Sequence, residues 1–403
     1  MSEALFPARL LWPSNAAEAR QELERIGATE PWRGPLGTPV RNSSAPLDPA
    51  TLVALRLDPP IPALLLNAPL PAAVVHTRGE NGLIITGPLA GLLAWIEAGA
   101  EETSQAVAAV RAGAGLDPRR QWRLRGTSLD LGPKTLLMAV INTTPDSFWS
   151  GSRSQNEKAV EEAIEAAVDG GADLLDIGGE STRPGAEPLA AGVEIERVLP
   201  AVEKAVGLSS LPVSIDTRRK EVAAAAIEAG AVIVNDISAG TDDPALLDLA
   251  ASSGAGLVLM HRRGLSATMQ DDPRYDDLMG EISAFLARQA AVARAAGVAA
   301  DAIAIDPGLG FGKRRQHNFE LYRRMAELHS LGYPLLVGPS RKRHLSGPAD
   351  RGPAERLPGT LAACALLARE GVQIVRAHDV EAVRAALDTA DEIRGALIED
   401  RVS

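Results

Sequence analysis

Eight short apolar runs recur along the second part of the chain, at residues 136–141, 174–177, 213–215, 232–234, 256–260, 303–305, 335–337 and 374–375. Each is rich in Val, Ile and Leu and apolar at successive positions. That pattern fits a parallel strand buried on both faces by helices, not a half-solvated antiparallel one. Stretches of helical periodicity follow them at 157–168, 194–206, 220–229, 244–252, 281–295, 318–331, 359–369 and 380–393. Eight strand–helix units in strict alternation predict an α/β fold closed on itself, a (β/α)8 TIM barrel, over an open doubly wound sheet. Residues 1–125 follow another pattern. They show a strand-like start at 10–12, a helix over 16–26, a Pro-rich stretch to about Pro60, apolar runs at 63–66, 73–75 and 82–85, and helices near 89–98 and 101–112. This predicts a small N-terminal α/β domain over 1–120 and a barrel over 121–403, joined by Asp117-Pro118-Arg119-Arg120.

The polar positions sharpen the barrel reading. Nearly every apolar run ends in a polar or charged cluster: Asn142-Thr143-Thr144, Asp176, Asp216, Asn235-Asp236, His261, Asp306, Ser340-Arg341-Lys342 and Arg376-Ala377-His378. Packing accounts for one such residue but not for the same placement eight times, whereas barrel enzymes carry their chemistry at the C-terminal ends of the strands.

Composition narrows the function classes. A formal charge of -11 gives no global attraction for nucleic acid or an anionic membrane, so phosphate recognition must come from a local group of Arg, Lys and backbone N–H. The single cysteine, Cys364, excludes an intrachain disulfide and a Cys-based metal site. With no basic, apolar leader pattern and no run of ~20 apolar residues, a cytoplasmic protein without membrane contact is expected. No lysine precedes Lys134, the same stretch has no tyrosine, and its one histidine is His76. An independent acid–base or metal enzyme in the N-terminal part is therefore not expected.

Several strand-end groups suit one ligand. Asp216, Asn235-Asp236 and Asp306 each follow an apolar run. A carboxylate accepts two parallel hydrogen bonds from an edge of paired N–H donors, as it does from Arg, and an aminopyrimidinone offers such an edge beside a carbonyl. The same acids could bind a metal, though the set lacks the His-rich character of a zinc site. Asn142 could ligate Mg²⁺ or hydrogen-bond a phosphate, while Pro145-Asp146-Ser147 is also an ordinary turn. Gly178-Gly179 permits close backbone approach, and Thr182 and Arg183 offer donors for an anion, or a merely solvated loop. Lys342 reads as a ligand donor whose ammonium the nearby acids keep charged. Arg376 and His378 sit where barrels commonly hold phosphate, His378 also suiting a helix cap. His261 reads as structural, and the pair Arg262-Arg263 as solvated.

In order, the motifs Asn142-Thr143-Thr144-Pro145-Asp146-Ser147-Phe148, Gly179-Glu180-Ser181-Thr182-Arg183-Pro184-Gly185, Ser214-Ile215-Asp216-Thr217, Val234-Asn235-Asp236-Ile237, Asp306 to Lys313, Ser340-Arg341-Lys342 and Arg376-Ala377-His378-Asp379 resemble the dihydropteroate synthase family over about residues 121–395. The resemblance implies a transferase of folate biosynthesis. It would condense 6-hydroxymethyl-7,8-dihydropterin diphosphate with 4-aminobenzoate in an SN1-like substitution, giving 7,8-dihydropteroate and diphosphate, with Mg²⁺ as cofactor. Carried over residue by residue, Asp216, Asn235, Asp306 and Lys342 would grip the pterin, with Met260 packed on it and Phe311 flanking it. Thr182, Arg183, Ser340, Arg341, Arg376 and His378 would meet the diphosphate and 4-aminobenzoate, and Asn142 would hold Mg²⁺. Asp216, Lys342, Arg376 and His378 would carry the catalysis. The family also implies sulfonamide sensitivity and a homodimer, for which 359–367, rich in small apolar residues, offers a face.

Two other classes share the pterin acids: a non-catalytic pterin-binding paralogue, and a methyltetrahydrofolate:corrinoid methyltransferase, which needs no diphosphate site. One departure bears on the first. The family's first loop continues Ser-Asp-Gly-Gly after its Phe, whereas here the run is Trp149-Ser150-Gly151-Ser152, so Ser150 occupies the usual Asp position. If that missing carboxylate limits loop closure, Ser150→Asp raises kcat in a steady-state assay of dihydropteroate formation; an unchanged kcat shows that the loop closes without it.

Overall fold

The computed structural model describes residues 8–13, 16–26, 28, 32, 47, 50–59, 61, 70–71, 73–97, 104–116, 121–132, 134–143, 153–180, 189–264, 268–347 and 349–402, the side chains of 16–17, 153–156 and 396–402 excepted. The N-terminal part forms an antiparallel sheet of β1 (Ala8–Leu11), β2 (Leu52–Leu57), β3 (Val75–Gly79) and β4 (Gly82–Pro88), in the order β1-β2-β4-β3. With it go α1 (Ala16–Arg25), α2 (Leu89–Glu97) and α3 (Ser104–Gly113). Strand β2 falls inside the stretch read from sequence as Pro-rich connection. It is buried along nearly its whole length, Arg56 included, so it lacks the alternation that marks a half-exposed strand. The expected run at 63–66 and the linker 117–120 lie outside the described residues.

A hairpin that the sequence pattern did not reveal comes next, β5 (Gln121–Leu124) and β6 (Thr127–Asp130), turning at Gly126 with φ of 73°. Its inward residues Trp122 and Leu124 are buried together with Leu136, Leu174, Ile233 and Ile374. The Trp122 indole N–H donates to Ala302 O at 2.8 Å. The hairpin thus plugs the N-terminal end of the barrel and leaves the other end as its mouth.

The barrel follows as β7 (Leu136–Asn142), α4 (Arg153–Asp169), β8 (Leu174–Gly178), α5 (Ala191–Leu208), β9 (Val213–Asp216), α6 (Lys220–Glu228), β10 (Ile233–Asp236), α7 (Ala245–Ser253), β11 (Gly256–Met260), α8 (Leu278–Ala295), β12 (Ile303–Asp306), α9 (Arg315–Arg324), β13 (Leu336–Val337), α10 (Leu357–Arg369), β14 (Ile374–Ala377) and α11 (Val380–Val402). All eight strands pair in parallel in the order β12-β11-β10-β9-β8-β7-β14-β13. A parallel bridge between Ile305 and Leu335 joins the two ends. This is the expected TIM barrel. The helix expected over 318–331 ends at Arg324, and Met325–Leu331 winds as a 3-10 helix.

Strand alternation sorts the side chains. Leu137, Ala139 and Ile141 pack outward against the helices, while Leu136 and Met138 point into the barrel above the plug. With a period of two, Val140 and Asn142 continue on the inner face. The same rule turns Asp176, Gly178, Ser214, Asp216, Asn235, Met260, Asp306 and Arg376 inward and Asp236 outward.

The N-terminal sheet docks on the barrel through charge. Glu22 on α1 is fully buried and meets Arg324 Nη2 at 2.7 Å, Arg56 Nη1 at 2.8 Å, Arg9 Nη2 at 3.3 Å, and Arg25. Glu327, in the 3-10 turn, accepts from Arg9 Nη1 at 2.8 Å and from the Trp12 N–H at 3.0 Å. Ser330 Oγ accepts from the Leu10 N–H at 3.0 Å. The free edge of β1 is thereby covered by barrel side chains. Burial pushes the Glu22 carboxyl up, but its guanidinium neighbours outweigh it and hold the group far below the ordinary range. A depressed carboxyl stabilises the fold above its unfolded pKa of ~4.3 and stops doing so as pH falls through the folded value. Glu22→Gln, which leaves several buried guanidiniums without that compensating charge, is expected to cost about 3–5 kcal/mol in denaturant unfolding at neutral pH. It should also flatten the acid limb of the stability curve.

Candidate active site

At the mouth, the last inward positions of β7 to β10 stand side by side: Asn142 pairs in register with Gly178, Gly178 with Asp216, and Asp216 with Asn235. Gly178 supplies no side chain between its neighbours. A Cβ there would lie 3.6 Å from Asp216 Cβ and 3.8 Å from Asn142 Oδ1, so the glycine keeps the approach to both open.

Below this row, Arg376 reaches across the barrel. Its Nε donates to Asp176 Oδ2 at 2.6 Å and its Nη2 to Asp216 Oδ2 at 2.8 Å. Asn235 Nδ2 donates to the same Asp176 oxygen at 3.0 Å. Asp176 is fully buried, and its Oδ1 and the nearby Ser214 Oγ have no hydrogen-bond partner among the described residues. Two orphaned polar atoms inside a walled cup call for a ligand with polar hydrogens. Burial pushes the Asp216 carboxyl up to about 7, against the pull of Arg376 and with a further push from Asp176.

Asp306 closes the cup from β12, its Oδ1 accepting the Gly308 N–H at 2.7 Å. Gly308 has φ of 68°, and a Cβ there would sit 2.0 Å from His261 O, so the turn admits only glycine. From the loop after β13, Lys342 donates to Leu309 O and holds its ammonium 4.7 Å from the centre of the Phe311 ring. Asp306 and Asp216 favour its charged form, as expected from sequence, and the ammonium stays mostly protonated at neutral pH. Burial outweighs Asp306 and Asp216 and pulls it down to about 8.

The other side of the mouth holds His378, Ser340 and Asn142 close together. His378 Nδ1 lies 2.9 Å from Ser340 Oγ, which also accepts the His378 N–H at 3.2 Å. Its Nε2 lies 3.5 Å from Asn142 Nδ2. Arg341 pairs with Asp379, its Nε donating to Asp379 Oδ2 at 2.9 Å. Met260 is buried below Gly308. Thr182, Arg183 and Ser150 lie outside the described residues.

Three residues differ from their sequence reading. Asp236 faces away from the cup and accepts from Ser238 N and Oγ, both at 2.7 Å, and from Gly240 N; it ties the turn after β10. Arg262 is mostly buried against Asp242, so only Arg263 fits the solvated reading. Asp176 was visible as a strand-end acid but carried no assigned role, although it is the most enclosed carboxylate of the cup. The signal was there: a charged residue within the apolar run 174–177 can face only the barrel interior. His261 is structural as expected, with Nδ1 2.9 Å from the buried Lys313 ammonium.

The pterin binding enzyme family matches residues 138–378, which span every strand-end group described. A dihydropteroate synthase of Synechocystis sp. is 44% identical over 268 residues, covering 66% of this chain and 93% of the relative. The chain belongs to the dihydropteroate synthase family. Two solved members superpose on it. The Yersinia pestis dihydropteroate synthase in complex with a sulfonamide drug is 37% identical with a TM-score of 0.65, over 68% of this chain and 99% of that one. The Xanthomonas albilineans dihydropteroate synthase with 4-aminobenzoic acid is 39% identical with a TM-score of 0.63, over 68% and 98%. Since those relatives are almost fully used up, about a third of this chain has no counterpart in them, and the family segment begins only at 138.

An ionised Asp216 accepts N–H donors, whereas a protonated one does not offer both oxygens. Pterin affinity, measured by calorimetry, should therefore tighten as pH rises through about 7. Asp216→Asn should bind weakly and lose this pH dependence; a wild-type profile that stays flat across that range would remove Asp216 from the pterin contact.

Proposed function

We propose that the barrel condenses 6-hydroxymethyl-7,8-dihydropterin diphosphate with 4-aminobenzoate, forming 7,8-dihydropteroate and releasing diphosphate. The observation that supports this most directly is the enclosed set of Asp176, Asp216, Asn235, Asp306 and Lys342, which offers acceptors and donors to the polar edge of a pterin. In this reading Met260 packs against the ring and Phe311 flanks it. Asn142, Ser340 and His378, on the opposite rim, take the diphosphate together with Arg376. Thr182, Arg183 and Arg341 meet the anionic groups of the substrates.

No protein nucleophile is required. The bond between the pterin methylene carbon and the diphosphate oxygen breaks, and its electron pair leaves with the diphosphate. The aniline nitrogen of 4-aminobenzoate gives its lone pair to that carbon and loses one N–H proton to water or to the departing diphosphate. The buried carboxylates tolerate positive charge developing on the pterin, and Arg376 and His378 stabilise the negative charge on the leaving group.

Mg²⁺ suits this arrangement. Among the described residues no group of three His, Cys, Asp or Glu side chains gathers around one point, but Mg²⁺ commonly binds through one or two protein ligands, waters and substrate phosphates. Asn142 Oδ1, left open by Gly178, would be its protein ligand. The bound ion would neutralise charge on the diphosphate. Among the described residues no helix is long and apolar enough to cross a membrane. A cytoplasmic enzyme acting on diffusible substrates, dimeric through the α10 face, completes the reading.

The purified protein with Mg²⁺ and both substrates is expected to form 7,8-dihydropteroate. Asp216→Asn and Lys342→Ala should each lower kcat/KM by about 100-fold or more. Chelation of Mg²⁺ should suppress turnover reversibly, and a sulfonamide should raise the apparent KM for 4-aminobenzoate without changing kcat. Tight pterin binding with no product would instead identify a non-catalytic paralogue.

A further inference from the structure

The N-terminal unit has no part in the chemistry above, yet some of its ion pairs end on Asp277, in the segment that leads from β11 to α8. Asp277 caps the N-terminus of α8, its Oδ1 accepting the Gly280 N–H at 3.0 Å. The same carboxylate meets Arg56 Nη1 at 2.8 Å, Arg9 Nη2 at 3.3 Å and Arg25 Nη1 at 3.5 Å, all from the N-terminal unit. One turn further on, Glu281 accepts the N–H groups of Asp276 at 2.9 Å and Asp277 at 3.2 Å and pairs with Arg263. The Arg263 guanidinium lies 4.5 Å over the Tyr275 ring, and the Tyr275 hydroxyl donates to Gly312 O at 2.8 Å. Gly312 sits between Phe311 and Lys313 in the loop that starts at Asp306. It has φ of 63°, and a Cβ there would be 2.3 Å from Arg263 O, so the two loops touch backbone to backbone. On the site side of that loop are the contacts of Lys342 with Leu309 O and the Phe311 ring.

We propose that Asp277 is a positioning residue, through which the N-terminal unit sets the place of the glycine loop 306–313 and so the affinity of the pterin cup. The proposal rests on the pterin reading of that cup. Between Asp277 and the start of α9 lies an open cavity of about 620 Å³, lined by Arg25, Arg56, Tyr275, Asp277, His317 and Glu320 among others. The two parts of the chain also share apolar packing around Ala326, but at this cavity they meet through these polar contacts. The Tyr275 ring, edge-on to His317 at 5.1 Å, links the glycine loop to α9 as well. Barrel relatives without a comparable N-terminal unit must hold the same loop by other means; here a carboxylate at its neighbour's helix cap does so under the pull of guanidiniums from outside the barrel.

Asp277→Asn tests this in the full-length enzyme, since Asn still caps a helix but no longer offers a charge. Its KM for dihydropterin diphosphate and its Kd for a non-reactive pterin, by calorimetry, should rise about tenfold while kcat stays within about twofold. Tyr275→Phe, which removes only the hydroxyl on Gly312 O, should raise the same Kd about threefold, and the double variant should be no weaker than the weaker single one. A lowered Tm with unchanged Kd and KM, or effects that multiply independently, would overturn the proposal. If Asp277→Asn does not fold, Tyr275→Phe decides alone, and an unchanged Kd rejects it. Because Kd is read without turnover, an inactive wild-type protein would count against the synthase reading and leave this test intact.

Discussion

Two carboxylates, those of Asp176 and Asp216, face the barrel interior within reach of the one guanidinium of Arg376. Without that cation they would repel each other in a medium that screens poorly, and a pair of unit charges ~4 Å apart is worth of order 4 kcal/mol even at an effective dielectric constant of 20. The guanidinium fork lets one residue serve both acids through separate nitrogens, which an ammonium could not do in the same plane. Compensation is nevertheless incomplete. Asp306 and Asp216 are still pushed up by burial, Lys342 is pushed down, and one oxygen of Asp176 has no partner among the described residues. The cup is thus held together by one cation yet short of polar hydrogens, and a ring edge carrying paired N–H groups would make up that shortfall.

The strand pleat decides which groups can join Arg376. Each barrel strand gives every second residue to the interior, and the lowest inward layer is apolar because the 121–130 hairpin closes it with Trp122 and Leu124. The inward positions above it carry the polar groups of the mouth, beside Val140 and Met260, while the outward positions face the helices. This is why Asn235 lies in the cup while Asp236, adjacent in sequence, ties a turn on the outside. It also explains why Gly178, at the rim between Asn142 and Asp216, carries no side chain: its neighbours on both strands already point inward there.

Alternation of eight apolar runs made the barrel legible, because strands covered on both faces have few other sequence signatures. The acids at the strand ends were legible as a group for the same reason, and the family motifs then gave them individual roles. What stayed hidden depended on distance in space. That Asp176 shares one oxygen between Arg376 and Asn235 requires three strands to be in register, which no local pattern encodes. The lowered basicity of Lys342 stayed hidden because counting neighbouring acids leaves out burial, and burial is the larger effect. The plug hairpin escaped because Gln121–Leu124 and Thr127–Asp130 bury only alternate residues of short strands, and β2 escaped because Arg56 interrupts an otherwise apolar run. The charge of Arg56 is neutralised by Glu22 on α1 and by Asp277 at the start of α8.

That neutralisation says what kind of interface joins the two parts of the chain. An apolar interface tolerates small rotations, because burial is non-directional. A set of buried guanidiniums around Glu22, Asp277 and Glu327 does not, since each pair must keep its geometry or leave a charge unpaired. The interface therefore contributes orientation more than stability. It is placed on the N-terminus of α8 and along α9 and the 3-10 turn after it, the elements that follow the fifth and sixth barrel strands. Those strands carry Met260 and Asp306, and the loops above them make up one wall of the cup. A rigid, directional clamp at that position fixes that wall, so the charged residues of the N-terminal unit belong to the architecture of the site though none of them reaches it.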